Sequence, residues 1–206
     1  MAIGLSVATM AFNLLEGGVS IGFGWADHSV ALFGFGVDSL VEVAAAALIF
    51  WRFRNDRLLG HEAGAARERL ATRGIGGMLL VLAGGTAVGA TLDLTRHAAP
   101  ETTLPGVLIS VASLAVMFVF WRAKRRTAAA LESPAMRSDA ACSLACMQLS
   151  TVVLGGSLVF WMAPRLWWVD AVTALGVSAL IAREGLESFR ASLKPDFSGG
   201  CGCGHD

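Results

Sequence analysis

The sequence predicts an all-α polytopic membrane protein, a bundle of six transmembrane helices with both termini on the cytoplasmic side. Three observations carry this. Of the 206 residues, 55% are hydrophobic and only 16% charged, where a soluble domain of this size would carry roughly 25%. Six apolar runs approach the ~20 residues needed to cross the hydrocarbon core of a bilayer. All the Lys and Arg residues except Arg96 and Arg165 fall in alternate connections or in the tail. That bias assigns those segments to the inside, and it holds only for an even number of spans.

The first run, 3–24, starts almost at Met1 with no basic leader and no small-residue cleavage site. It contains Asn13 and Glu16, so a cleaved signal peptide is not expected. A short turn leads to the second run, 30–51. Segment 52–73 mixes Arg52, Arg54, Arg57, Arg67, Arg69 and Arg73 with Asp56, Glu62 and Glu68, and could form a short surface helix. The third run is 74–94, and a second short outer turn joins it to the fourth, 104–121. Arg122, Lys124, Arg125 and Arg126 then read as a cytoplasmic loop, followed by an Ala-rich stretch. Ser133 and Pro134 mark a break before the fifth run, 139–161. The sixth, 167–182, is short; a helical continuation over 184–194 ends at Pro195, before the Gly-rich tail 198–206. Connections this short make consecutive helices antiparallel neighbours. Trp25, Trp51, Trp121, Trp161, Trp167 and Trp168 all stand at run ends, as interfacial anchors do. Small-residue pairs at Gly18/Gly22 and Gly85/Gly89 permit close helix contact. No connection is long enough to bury a core of its own. The chain therefore reads as one transport domain, 1–190, with a short cytoplasmic tail, 191–206. A formal net charge of zero gives no reason to expect a nucleic-acid partner.

Acids inside the apolar runs are the informative feature. Glu16, Asp38, Glu42 and Asp139 each lie within a predicted span. A carboxylate at the bilayer centre costs roughly 2.5–3.5 kcal/mol, so these groups must face the protein interior, water, a counter-charge or an ion. No Lys or Arg falls inside any of the six runs, which makes a bound cation the expected partner. Asp38 and Glu42 stand four apart and share a helical face. Asp139, Cys142 and Cys146 form a second stripe on the fifth helix. Two acids from one helix facing an acid and a thiol from another approximate a four-ligand site: Asp38, Glu42, Asp139 and Cys142. Mixed oxygen and sulfur donors suit Zn²⁺ or a similar ion better than Mg²⁺ or Ca²⁺. Buried, crowded carboxylates also take up protons when a metal leaves, so metal-for-proton exchange follows. Each residue has a plainer reading beside this one. Asp38 and Glu42 could be protonated and hydrogen-bonded to neighbouring helices, and Asp139 could cap the fifth helix. Cys142 and Cys146 could be small buried hydrophobes. Asp93 and Asp170, near outer ends, could cap helices or face water.

The stretch Asn13-Leu-Leu-Glu16, then Ser29-Val-Ala-Leu-Phe33 and Val37-Asp38-Ser39-Leu40-Val41-Glu42, resembles the first two helices of the cation diffusion facilitator family. Ser138-Asp139-Ala140 is similar to that family's fifth-helix motif, and Trp167-Trp168-Val169-Asp170 to the start of its sixth helix. The resemblance runs over about residues 8–190. It implies a six-helix, homodimeric, proton-coupled exporter of Zn²⁺ or a related ion (Cd²⁺, Co²⁺, Fe²⁺ or Mn²⁺) from the cytoplasm. It implies a site of two acids on helix two, here Asp38 and Glu42, and two ligands on helix five, of which Asp139 is one. Asn13, Glu16, Cys146 and Asp170 would be secondary or pathway residues. The family's other helix-five ligand falls at Ala135, so three protein ligands plus water would bind the ion, or Cys142 would substitute one turn deeper. The resemblance covers the transmembrane domain alone. The family's usual cytoplasmic C-terminal domain is not expected in the residues after helix six, and helix packing would have to hold any dimer. Ala-, Gly- and Arg-rich composition suggests a bacterial inner membrane.

Cys201, Cys203 and His205 in the tail form a separate candidate metal-binding group, a collecting arm for a soft ion; the plain reading is a solvated end. Two other functions compete with transport. One is a membrane thiol oxidoreductase working through Cys142/Cys146 and Cys201/Cys203, although no Cys-x-x-Cys is present. The other is a membrane metal sensor or accessory subunit that binds without moving its ion.

Overall fold

The computed structural model describes residues 2–26, 30–59, 64–97 and 104–194. Within them the chain forms α1 (Ala2–Ala26), α2 (Val30–Leu59), α3 (Gly64–Arg96), α4 (Leu104–Leu131), α5 (Pro134–Met162) and α6 (Val169–Leu193), with a 3₁₀ turn at Pro164–Leu166 before α6. The all-α expectation and the count of six hold. Cys201, Cys203 and His205 lie outside the described residues.

The helices are longer than the apolar runs that announce them. α2 runs to Leu59 and α3 begins at Gly64, so the arginine-rich segment expected as a surface helix is absorbed into the ends of two long helices. α4 likewise continues through Arg122, Lys124, Arg125 and Arg126 to Leu131, because Ala-rich sequence favours helix whether or not lipid surrounds it. The break at Ser133 and Pro134 is where the sequence places it. Glu132 turns the chain with a φ of 47°, and the Ser133 amide donates to the Ala128 carbonyl, a Schellman-type closure of α4. The Ser133 side chain then accepts from the Met136 amide, with Pro134 in the first turn of α5, where its missing N–H costs nothing. Asp139 is therefore not a cap; it stands inside α5.

Packing departs from simple succession. α1 lies along α2 and α4 against α5, but α3 lies along α6 and hardly touches α4. α5 also contacts α2, α3 and α6, while α1 contacts α4. Glycine explains the tightest crossings. A Cβ on Gly76 would stand 2.9 Å from the Phe189 amide nitrogen and 3.1 Å from the Gly185 carbonyl, and one on Gly36 would stand 2.9 Å from the Gly17 carbonyl. Backbones meet directly there, as small residues allow between membrane helices. A Cβ on the glycines expected to do this, Gly18, Gly22, Gly85 and Gly89, would meet nothing of another helix within 4 Å among the described residues. Large apolar side chains such as Leu15, Val81 and Trp161 point outward. The interior carries Ile49, Ile75, Leu79, Met136 and Ile181 with many Ser and Thr, an inside-polar, outside-apolar arrangement suited to lipid.

One end of the bundle gathers the basic residues. Arg52 of α2 pairs with the buried Glu68 of α3. The Glu68 Oε1 atom accepts from the Ser133 hydroxyl at 2.5 Å and from the Ala135 amide at 2.9 Å. Asp56 pairs with Arg52 at 3.1 Å and Arg67 at 2.8 Å. Arg73 of α3 lies over the Phe189 ring of α6. These contacts lock the ends of α2, α3, α5 and α6 together. Glu68, read from sequence as part of a surface segment, is one of the most deeply buried side chains in the protein.

Candidate cation site

Above that basic end, α2, α4 and α5 converge on one cluster. Glu42 and Asp139 have no exposed surface, and between them stands the ammonium of Lys124, equally buried. Lys124 Nζ lies 3.0 Å from Glu42 Oε1 and 3.0 Å from Asp139 Oδ1. Its remaining proton goes to the Ser143 hydroxyl at 2.8 Å, so all three ammonium donors are used. Ser143, one turn beyond Asp139 on α5, in turn donates to Glu42 Oε1. The second oxygens, Glu42 Oε2 and Asp139 Oδ2, are buried with no hydrogen-bond partner among the described residues.

The expectation that no lysine or arginine lies inside the helices is thereby corrected. Lys124 was read as part of a loop because it follows Trp121 in a run of Arg. In the structure it belongs to α4 and to its inward face, which also carries the buried Ser110, Ser113, Met117 and Ala128. Spacings of three, four and seven residues put these positions on one side of the helix. That periodicity is the signal that could have found it, together with Lys124 being the one lysine among arginines there. The signal for Ser143 is its place at i+4 from Asp139, the spacing of Glu42 from Asp38.

The other predicted residues surround this bridge. Asp38 is one turn from Glu42 on α2; its carboxyl lies within interaction range of the Cys146 thiol of α5, and its Oδ1 has no partner among the described residues. Cys146 and Cys142 lie within interaction range of each other, and both thiols are free and buried. Cys142 is close enough to Glu42, Lys124 and Asp139 to interact with their charges. It is thus Cys146, rather than Cys142, that lies beside Asp38. Glu16 of α1 accepts from the Ser39 hydroxyl at 3.2 Å and lies within interaction range of Ser113 of α4. Asn13, buried one turn earlier, donates to the Thr9 carbonyl at 3.0 Å and faces the Met117 sulfur of α4. Ala135, the position where a fourth ligand would fall, is buried against Glu68 instead. Asp170 is the second residue of α6, and its side chain lies outside what the structure describes.

The structure thus brings the second and fifth helices together at their acids, through a lysine from the fourth. Among the described residues no three His, Cys, Asp or Glu side chains already converge as a metal cage; the closest gathering of acids is held by an ammonium. Two carboxylates 3.0 Å from one cation, each with a second oxygen unused, form a preorganised cation-binding pair in a low-dielectric interior.

Comparison with known families gives one assignment: the cation efflux transmembrane domain matches the chain over residues 6–194. No curated protein matches it.

Proposed function

The chain belongs to the cation efflux family, whose members transport cations across membranes, and we propose that its cargo is a divalent transition-metal ion, Zn²⁺ or a near neighbour, exchanged for protons. The observation that supports this reading is the meeting of Glu42 from α2 with Asp139 from α5 around a positive charge, both buried and each with one oxygen unpartnered. A pair of carboxylates at bilayer depth is costly unless it serves ion passage or is permanently neutralised. Asp38, one turn from Glu42, adds a further oxygen donor, and Cys142 and Cys146, one and two turns from Asp139, add sulfur donors that favour Zn²⁺ or Cd²⁺ over Mg²⁺ or Ca²⁺.

In the cycle proposed here, the ion enters from the cytoplasmic, arginine-rich end and is held by Glu42 and Asp139, with Asp38 and Cys142 beside them. Rocking of the helices turns the site outward. Protons compete for the carboxylates and release the ion, and the carrier returns. A homodimer is proposed as the working unit, packed through glycines of α1 and α3, such as Gly18, Gly22, Gly85 and Gly89, whose added Cβ would meet nothing within 4 Å among the described residues. A bacterial inner membrane with both termini cytoplasmic fits the basic end of the bundle.

Proteoliposome flux with a panel of divalent ions under an imposed pH gradient tests this reading. Zn²⁺ or Cd²⁺ should move down the pH-driven exchange while Mg²⁺ and Ca²⁺ do not. Transport of alkaline-earth ions alone, or binding of Zn²⁺ without flux, would contradict it; the second result would favour a membrane metal sensor.

A further inference from the structure

We propose that Lys124 is a tethered counter-ion of the transport site: its ammonium takes the cargo's place between Glu42 and Asp139 when no metal is bound, and the cargo binds by displacing it. This role rests on the reading of Glu42 and Asp139 as cargo ligands, and it concerns how that site is emptied and filled.

Four observations carry it. The ammonium lies 3.0 Å from one oxygen of each carboxylate, so a metal bound to both would compete for the same oxygens. All its protons are engaged, so in this position it satisfies the site fully. The side chain comes from α4, a third helix, rather than from the two that supply the acids, and can leave without moving either ligand. Its exit is short. Lys124 stands one turn from Thr127, which with Ala2, Phe53 and Arg126 lines a cleft of about 370 Å³ at the basic end of the bundle. A long flexible stem lets the ammonium snorkel in that direction towards the interface.

The energetic consequence is definite. One ammonium cancels one of the two carboxylate charges, whereas a divalent ion cancels both, so the cargo has the advantage once present. With metal absent, the lysine spares the bundle a pair of bare buried acids. Apparent cargo affinity is then lowered by the fraction of molecules whose site the lysine fills. The effect keeps a tight carboxylate site from holding its ion too long to release it.

The chain has two lysines, Lys124 and Lys194, and Lys194 is exposed at the end of α6, which provides an internal reference. Purified wild-type protein, metal-free or saturated with Zn²⁺, would be treated with a small amine-acylating reagent and modification at each lysine followed by mass spectrometry. Lys194 should react equally in both states. Lys124 should be protected without metal and react at least fivefold faster with Zn²⁺ bound. Equal protection of Lys124 in protein shown to bind Zn²⁺ overturns the proposal. In parallel, Lys124→Met should bind Zn²⁺ at least tenfold more tightly, while Lys124→Arg, which keeps the charge, should stay close to wild type. Unchanged or weaker binding by folded Lys124→Met also overturns it, and if that variant does not fold the labelling result decides. Wild-type protein that binds no divalent ion removes the reading of Glu42 and Asp139 as well. That outcome is distinct from Zn²⁺ binding with an unmoved lysine, which removes the counter-ion role alone.

Discussion

Replacing Lys124 with Met keeps most of the side chain's volume and removes one charge. The ammonium is 3.0 Å from Glu42 and 3.0 Å from Asp139, and none of the three side chains is exposed. Without it, Ser143 is the one remaining hydrogen-bond partner described for the Glu42 carboxylate. Breaking a buried ion pair by deleting one member costs about 3–5 kcal/mol, so Lys124→Met should lower the metal-free unfolding free energy by about that amount. The assay is reversible denaturation in mixed micelles, with helix content as the readout. A divalent ion can then occupy the position the ammonium has left. At a hundredfold excess over its Kd, a bound ligand adds about 2.7 kcal/mol, so Zn²⁺ should recover much of the loss. Wild type should respond less, because there the ion has first to move the lysine. A triple variant, Lys124→Met with Glu42→Gln and Asp139→Asn, carries no charge at the site. It should return towards wild-type stability, since replacing a whole buried ion group with neutral residues is often close to neutral, and it should ignore Zn²⁺. A Lys124→Met protein as stable as wild type without metal, or equal stabilisation of both by Zn²⁺, would refute this reasoning.

Other perturbations separate the remaining roles. Asp38→Ala should abolish flux in proteoliposomes while expression stays intact; undiminished flux would count directly against a carboxylate-centred path. Because Cys146 lies beside Asp38 and Cys142 beside the Glu42–Lys124–Asp139 group, each single Cys→Ser change should alter the Zn²⁺/Cd²⁺ ratio of transport, measured by competitive uptake. Changing all four cysteines should leave partial flux, where a thiol oxidoreductase would lose everything. Gly76→Leu should destabilise the α3–α6 crossing by about 1–3 kcal/mol, since its Cβ would stand 2.9 Å from backbone. Gly85→Ala, whose Cβ would meet nothing within 4 Å among the described residues, should leave the monomer unaffected in the same denaturation assay.

The architecture was legible because hydrophobic length and charge placement are strong signals in a membrane chain. Every apolar run became a helix, and Glu42 of α2 and Asp139 of α5 both reach Lys124, with Asp38 one turn away and outside that bridge. Helix ends were less legible, since hydropathy marks where lipid stops, not where hydrogen-bonded backbone stops; hence α2 and α3 run far past their apolar segments. The same limitation hid Lys124 and Glu68. The positive-inside count treats a basic residue as belonging to the water beyond a span, and it ignores which way the residue faces. A helix continuing past the interface can turn that residue inward, as α4 does with Lys124. The pairing of α3 with α6 was illegible for another reason. The close approach depends on Gly76 and Gly185 lying opposite each other, and nothing local distinguishes them from the other glycines in the chain.

Zn²⁺ stoichiometry by equilibrium dialysis tests the central claim most directly, in a background where Cys201, Cys203 and His205 are replaced so that the tail contributes nothing. Glu42 and Asp139 together predict an ion retained by that background protein and lost when both are changed to Gln and Asn. Full retention of Zn²⁺ by the doubly substituted protein would contradict the account.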